Sequence, residues 1–162
     1  MISERLAKAI NEQLNFELAS GYIYKGMEAY FGKEGYDGFK HFMKLQAEEE
    51  YEHHQKFAEF LYEVDCTVEY KAIPDVKNDY ESPKAAIESA LEHEKEVTKR
   101  IHNLYQIALE EKDYEAITTL DWFLNEQVEE EDNFRHILDQ YELLDDAKTT
   151  TYWIDKELGK RQ

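Results

Sequence analysis

The chain has one cysteine, Cys66, among 162 residues, and it has no apolar run long enough to span a membrane. A lone cysteine excludes an internal disulfide framework and excludes metal sites built from paired cysteines. A single thiol suits a reducing compartment, and we expect no signal peptide before Ser3. We therefore expect a cytoplasmic protein, in which Cys66 is an ordinary free thiol.

Positive charge is scarce. The chain has 19 Lys and Arg against 37 Asp and Glu, which gives a formal net charge of -18. A surface of this charge repels nucleic acid and anionic membranes, so neither is an expected partner. Cations are attracted instead. With 42% hydrophobic residues the chain can still form a packed core, and we predict one domain over residues 1–162.

Four stretches carry apolar residues at alternating spacings of three and four, which predicts four amphipathic helices packed along one inward-facing seam. In each stretch the apolar pattern is interrupted near its middle by polar side chains. Those in the second and fourth stretches stand three positions apart, so a single helical face presents both. The interrupting residues are Glu17, Glu50, His53, Glu94, Gln127 and Glu130.

These polar residues also fall at matched depths. Around a first turn near residues 32–35, Glu17 lies about as far before the turn as Glu50 and His53 lie after it. Around a second turn near Lys112, Glu94 stands level with the polar pair of the last helix in the same way. Two helical hairpins with polar groups at one level predict a bundle with one polar centre.

A single Glu on a helix is usually solvated or paired with Lys or Arg, but no basic residue shares this seam. Four unpaired carboxylates in a core would each cost several kcal/mol. Two divalent cations would neutralise them, and carboxylate oxygens with an imidazole nitrogen suit iron, manganese or zinc better than calcium. The sequence therefore predicts a two-metal site.

At these residues the chain resembles the ferritins, specifically the haem-free bacterial ferritins, over nearly its whole length. The resemblance rests on the segments around Glu17 (NFEL), Glu50 and His53 (EEEYEH), Glu94 (HEKE) and residues 122–130 (WFLNEQVEE). It implies an all-α, ferritin-like four-helix bundle with a short fifth C-terminal helix. It also implies a hollow homo-oligomeric shell of roughly two dozen subunits.

The resemblance implies a ferroxidase centre as well. In it Glu17, Glu50 and His53 would hold the first iron, and Glu50, Glu94 and Glu130 the second. Gln127 would stand near the pair without being firmly bound.

Two further features follow from the resemblance. A third iron position would use Glu49, Glu126 and Glu129, with Glu130 shared, although acidic runs of this kind are more often solvated helix faces. Tyr24 matches a tyrosine beside the di-iron centre; it could hydrogen-bond a carboxylate, supply an electron or simply pack in the core.

Particular residues disfavour two relatives of the ferritins. Bacterioferritins carry a haem-ligating Met where this chain has Tyr51, and they repeat Glu-x-x-His where it has Gln127 and Glu130. No haem is therefore expected, and Met27 and Met43 become core residues. Rubrerythrins add a domain with paired cysteines, which a single cysteine excludes.

Helix boundaries are marked by capping residues. Ser3 and Ser82, the latter followed by Pro83, are predicted N-caps of the first and third helices, and Asp145 or Asp146 could cap the fifth. The bundle should span about residues 3–144 and the fifth helix about residues 146–158. Residues 64–82 are too long for a turn and predict an extended crossover. Aromatic residues predicted to be exposed interface anchors are Tyr30, Tyr36, Tyr62, Tyr70, Tyr80 and Trp153.

The sequence thus predicts an iron-storage ferritin that oxidises Fe(II) with dioxygen or peroxide and keeps the product as mineral. One alternative is a di-iron or di-manganese oxidase or oxygenase acting on an organic substrate. A purely structural or partner-binding bundle is another, but it leaves the buried acids unexplained.

Overall fold

The structure, a computed structural model, describes residues 2–144 and 147–162. The described residues form five helices: α1 Glu4–Glu34, α2 Asp37–Glu63, α3 Pro83–Glu111, α4 Tyr114–Leu143 and α5 Ala147–Leu158. No helix among them is both long and apolar enough to cross a membrane. The predicted four-helix bundle with a short fifth helix is confirmed.

Local chemistry sets most helix ends. The Ser3 hydroxyl accepts from the Leu6 N–H, and the Ser82 hydroxyl accepts from the Ala85 N–H. Both predicted caps are confirmed, whereas the predicted cap at Asp145 or Asp146 lies outside the described residues. The C-cap of α1 is Gly35, whose φ of 83° lies in the left-handed region. Glycine adopts this conformation without the steric clash that a Cβ atom would cause. Since the turns at Gly35 and Lys112 are short, α1–α2 and α3–α4 are antiparallel hairpins.

The crossover between α2 and α3 runs along α1, as the contacts made by two asparagines show. Asn11 and Asn15 stand one helical turn apart, and their amide groups bond the backbone of alternate crossover residues at 2.7–2.9 Å. Further along, Tyr80 packs edge-on against Tyr30 near the far end of α1. The chain therefore returns to the end of the bundle where α2 began, and α2 and α3 run parallel.

We call the hydrogen bonds of Asn11 and Asn15 to the crossover backbone the crossover clamp. Substitution of Asn15 is the stronger test of it. The Asn15 amide donates to the Glu69 carbonyl at 2.7 Å and its oxygen accepts from the Lys71 N–H at 2.8 Å. Asn15→Asp keeps the acceptor but turns a carboxylate toward that carbonyl. We expect the free energy of unfolding to fall by about 1–2 kcal/mol. Denaturant titration and hydrogen exchange at the Lys71 amide measure the effect.

Asn103→Asp is the matched control, because Asn103 is exposed on α3 and the substitution adds the same charge. Equal stability of the two variants, with the Lys71 amide still protected in Asn15→Asp, would show that the clamp does not hold the crossover.

Two of the aromatic residues predicted to be exposed anchors are buried, so that prediction is wrong for Tyr30 and Tyr80, which are 3% and 9% exposed. The cause is the crossover, which folds Tyr80 back onto α1, where the two rings meet at 5.5 Å. Tyr36 is partly buried against Phe39. Three predicted anchors are exposed: Tyr62, Tyr70 and Trp153.

α5 docks on the N-terminal end of α2. The first turn of α2 has no side-chain cap of its own, and the Asp155 carboxylate of α5 accepts from the Phe39 N–H at 2.9 Å. The close approach requires Gly38, because a Cβ there would stand 1.7 Å from the Asp155 carbonyl oxygen. Ile154 is buried on the same helix. The fifth helix is therefore anchored by a cap, a glycine and an apolar contact.

The apolar core consists of two clusters. One contains the stacked rings of Phe31 and Phe39, and the other contains those of Phe57 and Phe123. Met27 and Met43 are fully buried in the first cluster, as predicted. The level between the clusters is occupied by the polar residues that interrupt each helix.

Candidate metal centre

The polar level of the bundle is fully enclosed. Every residue that interrupts the apolar pattern is at most 2% exposed, and the buried polar residues described in the structure include no Lys or Arg. The structure thus brings together the side chains expected from the sequence. They are Glu17 on α1, Glu50 and His53 on α2, Glu94 on α3, and Gln127 and Glu130 on α4.

Glu17, Glu50 and His53 form the first group. Each offers one ligand atom, and these atoms lie within 4.8 Å of one another. Gln13, one turn before Glu17, donates to Glu17 Oε1 at 3.0 Å. Glu17 Oε2 is buried and has no hydrogen-bond partner among the described residues. Because a buried carboxylate oxygen is costly to leave unpaired, this atom is suited to a cation.

His53, Glu126 and Glu130 form a second group of the same dimensions, so the imidazole belongs to both. His53 Nδ1 is 3.1 Å from Glu50 Oε2, and Nε2 is 3.4 Å from Glu126 Oε1. A carboxylate on the second ring nitrogen fixes the orientation of a metal-binding histidine. Glu126 is therefore placed to hold the His53 ring.

Glu94 stands outside both groups and is surrounded by donors. The Tyr24 hydroxyl donates to Glu94 Oε1, and the Gln127 amide donates to Glu94 Oε2 at 3.1 Å. The same amide also lies 3.2 Å from the Thr98 hydroxyl. Tyr24 and Gln127 thus orient this carboxylate.

The acids expected at a third iron position have different surroundings. Glu126 lies beside His53, whereas Glu49 Oε1 pairs with the Arg161 guanidinium at 2.6 Å. Glu129 is exposed on α4. The structure therefore does not gather these three acids into one group.

Burial and mutual repulsion keep protons on these carboxyl groups. The pKa of Glu50 lies well above its usual value because the group is buried and Glu94 and Glu17 are close. Burial, and then Glu94, similarly raise the pKa of Glu130, and burial raises that of Glu94. Burial and the Glu94 charge raise the Tyr24 pKa well above 10. Without a cation, the centre therefore favours neutral carboxyl groups.

The pKa of His53 is raised overall. Burial lowers it, but contact with Glu126 and the charges of nearby acids outweigh burial. The partner effect is reciprocal, since the contact with His53 lowers the pKa of Glu126. A metal on Nδ1 would keep the ring neutral there, with the Nε2 proton directed at Glu126.

Three contributors were not assigned a role from sequence. Gln46 donates to Glu130 Oε2 at 2.8 Å, and Gln13 supports Glu17. Gln13 precedes its partner Glu17 by one helical turn, so spacing could have indicated that contact. Gln46 bonds Glu130 on another helix, which helical spacing does not indicate. Arg161 follows α5 and reaches Glu49 from 112 residues away, and no local pattern indicates that contact.

The raised carboxyl pKa values predict how the stability of the metal-free protein depends on pH. Unfolding returns Glu50, Glu94 and Glu130 to values near 4.5, so above that pH the folded state binds more protons than the unfolded state. Stability should therefore fall as pH rises from about 4.5 through the folded pKa values, by up to about 1.4 kcal/mol per pH unit per proton. Glu130→Gln should reduce this slope, measured by urea denaturation across pH.

Glu52→Gln, which alters an exposed acid on α2, controls for the loss of one surface charge. Saturating Zn²⁺ should also flatten the wild-type profile, because the bound cation replaces the protons. Identical slopes for Glu130→Gln and Glu52→Gln would contradict the assignment of the pH dependence to the buried acids.

Comparison with known proteins gives a consistent result. A sequence model of the ferritin-like domain matches residues 7–144. The chain is 38% identical over 161 residues to a bacterial non-heme ferritin of Staphylococcus aureus (strain USA300), covering 99% of this chain and 97% of that protein. A bacterial non-heme ferritin of Staphylococcus haemolyticus is 37% identical over the same length.

Solved structures agree with these relatives. An open pore ferritin from the hyperthermophilic archaeon Archaeoglobus fulgidus superposes with a TM-score of 0.97 at 39% identity, covering 100% of both chains. A closed form of that ferritin, engineered by site-directed mutagenesis, gives 0.96 at 38% identity and covers 100% of this chain and 99% of the other. The chain therefore belongs to the ferritin family, with full-length similarity to the bacterial non-heme ferritins.

Proposed function

We propose that the protein stores iron and is a ferroxidase, which oxidises Fe(II) to Fe(III) at a two-iron centre inside each bundle. The product passes to the cavity of a shell of 24 copies and is kept there as mineral. Each copy is one domain, residues 1–162, and the shell is cytoplasmic. Membership of the ferritin family supports iron storage in general, and the polar centre supports the chemistry.

The observation that carries this proposal is the composition of the polar centre. Glu17, Glu50, Glu94 and Glu130 are at most 1% exposed, and no buried Lys or Arg among the described residues offsets them. Two divalent ions would neutralise four carboxylates and would pair with the free oxygen of Glu17. Oxygen ligands with one imidazole suit both oxidation states of iron.

We assign these residues to two iron positions. Glu17, Glu50 and His53 hold the first iron, and Glu50, Glu94 and Glu130 hold the second, with Glu50 bridging. Gln127 stands beside the pair and orients Glu94 through its amide. Tyr24 orients the same carboxylate through its hydroxyl. A third, weaker position uses Glu49, Glu126 and Glu129 with Glu130.

The electrons balance for either oxidant. Two Fe(II) ions each lose one electron, and dioxygen takes up the two electrons and two protons to give hydrogen peroxide. When peroxide is the oxidant, two electrons and two protons give two waters. The carboxyl groups release protons as Fe(II) binds, because their raised pKa values keep them protonated without a cation. Those protons are available where the oxidant is reduced.

An oxidase or oxygenase acting on an organic substrate would use a similar centre. The full-length relationship to ferritins gives that alternative no support. Particle size separates the two, because an oxidase of this kind would be a monomer or dimer.

Two measurements on the purified protein test the proposal. Light scattering should give a mass near 24 times the 19.3 kDa subunit, and Fe(II) added in air should appear as Fe(III) retained inside that particle. No haem should be bound. A small monomer or dimer, or iron that oxidises no faster than in buffer, would refute the storage and ferroxidase functions respectively.

A further inference from the structure

Arg161, on the segment after α5, reaches the polar centre from outside. Its Nη1 donates to Gln46 Oε1 and its Nη2 donates to Glu49 Oε1, both at 2.6 Å. The guanidinium also lies over the Phe42 ring, 4.7 Å from its centroid. The Arg161 carbonyl accepts from His41 Nε2. Four contacts with α2 therefore fix both the side chain and the backbone of this residue.

The contact with Gln46 determines which way its amide points. A guanidinium has donors and no acceptor, so the Gln46 oxygen must face Arg161. The Gln46 nitrogen then faces Glu130 and donates to Oε2 at 2.8 Å. A continuous chain of hydrogen bonds thus leads from Arg161 through Gln46 to one oxygen of Glu130.

The contact with Glu49 puts a protein cation where a metal ion would be attracted. The side chains of Arg161 and Glu49 are 23% and 34% exposed, so their pairing is stronger than that of a fully exposed pair. Glu49 is also close enough to Glu130 for the two carboxylates to interact electrostatically. The guanidinium therefore competes with a metal ion beside Glu130 for the negative charge of Glu49.

We propose that Arg161 is a positioning residue for the outer carboxylates: it orients Glu130 through Gln46, and it competes with a third metal ion for Glu49. This inference rests on the proposed iron chemistry and adds to it a tethered cation that weakens the outermost position. Of the inner ligands, Glu17, Glu50, His53 and Glu94 are not contacted by Arg161, whereas Glu130 is reached through Gln46. Arg161 therefore weakens binding at the outer position while the segment after α5 stays in place.

Zn²⁺, which is not oxidised, tests this without relying on turnover. The metal-free assembled protein is titrated calorimetrically at constant ionic strength, as wild type, Arg161→Ala and Arg161→Lys. In Arg161→Ala we expect the third Zn²⁺ per subunit to bind roughly three- to tenfold more tightly, as expected when one partly exposed ion pair is removed. The first, at Glu17, Glu50 and His53, should bind as in wild type. Arg161→Lys should be intermediate, because lysine keeps the charge but cannot present the two-pronged donor.

Lys160→Ala is the matched control, since it removes the same charge one residue away from a side chain that pairs only at the surface with Glu157. Anomalous diffraction from zinc-soaked crystals then locates each ion. A stronger peak between Glu49 and Glu130 in Arg161→Ala than in Lys160→Ala supports the proposal. A merely structural role for Arg161 would lower the unfolding temperature without changing that peak.

Equal third-site affinity in Arg161→Ala and Lys160→Ala, or no peak near Glu49 in either crystal, would overturn the inference. A different result would show that the proposed function itself is wrong. In that case zinc would be missing from Glu17, Glu50 and His53 in the wild-type crystal, whatever occurs at Glu49.

Discussion

Replacing His53 by alanine is expected to slow the initial oxidation of Fe(II) at least about tenfold while the particle still assembles. The imidazole is the only nitrogen ligand at the proposed centre, and it belongs to both groups of potential ligand atoms. Its loss also leaves Glu126 without the partner that lowers its pKa. Glu50→Ala should have a similar effect, because Glu50 is close to both Glu17 and Glu94 and is proposed to hold both irons.

The measurement is the initial rate of Fe(III) formation, followed by absorbance, with two Fe(II) added per subunit. Glu52→Ala serves as the control because Glu52 is an exposed acid on the same helix. Size-exclusion chromatography verifies that each variant is assembled. Wild-type rates in assembled His53→Ala particles would remove His53 from the proposed centre.

Gly38→Ala is expected to detach α5 from α2. An alanine in a helix normally stabilises it relative to glycine, but here the added Cβ would stand 1.7 Å from the Asp155 carbonyl oxygen. The helix must move away, and the Asp155 cap on the Phe39 N–H is lost with it. We expect the free energy of unfolding to fall by about 3 kcal/mol, with a lower unfolding temperature in calorimetry.

Gly32→Ala is the control, and we expect it to change stability in the opposite direction. A Cβ at Gly32 meets only the flexible Lys40 side chain, at 3.6 Å, so this substitution should stabilise α1 by about 0.5–1 kcal/mol. If both variants were equally stable, the close approach of α5 to Gly38 would be refuted.

The fold was predictable because its elements are marked locally. Alternating apolar spacing indicates each helix, and side-chain caps such as Ser3 and Ser82 mark the starts of α1 and α3. The crossover was expected from its length, which is too great for a turn. The clamp made by Asn11 and Asn15 was not expected, because an asparagine on a helix face does not indicate which distant backbone it will meet.

The inner part of the centre was also predictable, since its residues interrupt the apolar seam at one depth. Burial at Glu17 and Glu94 follows from that position alone. The outer part was not predictable. Whether Glu49 faces water, a metal ion or Arg161 depends on how the segment after α5 returns to α2, and that contact links residues far apart in sequence.

Burial of Tyr30 and Tyr80 was mispredicted for a related reason. Tyr30 lies on α1 one position before the apolar seam residue Phe31, and periodicity leaves it facing outward. The crossover covers that face, and Tyr80 is the residue that covers it. A helix pattern identifies the face toward the other helices but gives no information on a connecting segment that packs on the outside.

The layer of buried carboxylates divides the apolar core into two parts, and this division affects how the protein tolerates substitutions in its core. Phe31 and Phe39 stack in one cluster, Phe57 and Phe123 stack in the other, and the two clusters are separate. Substitutions in residues that share no contact usually have additive effects on folding free energy. The two halves of the interior can therefore be repacked, or diverge in evolution, independently of each other, provided that the polar layer between them is retained.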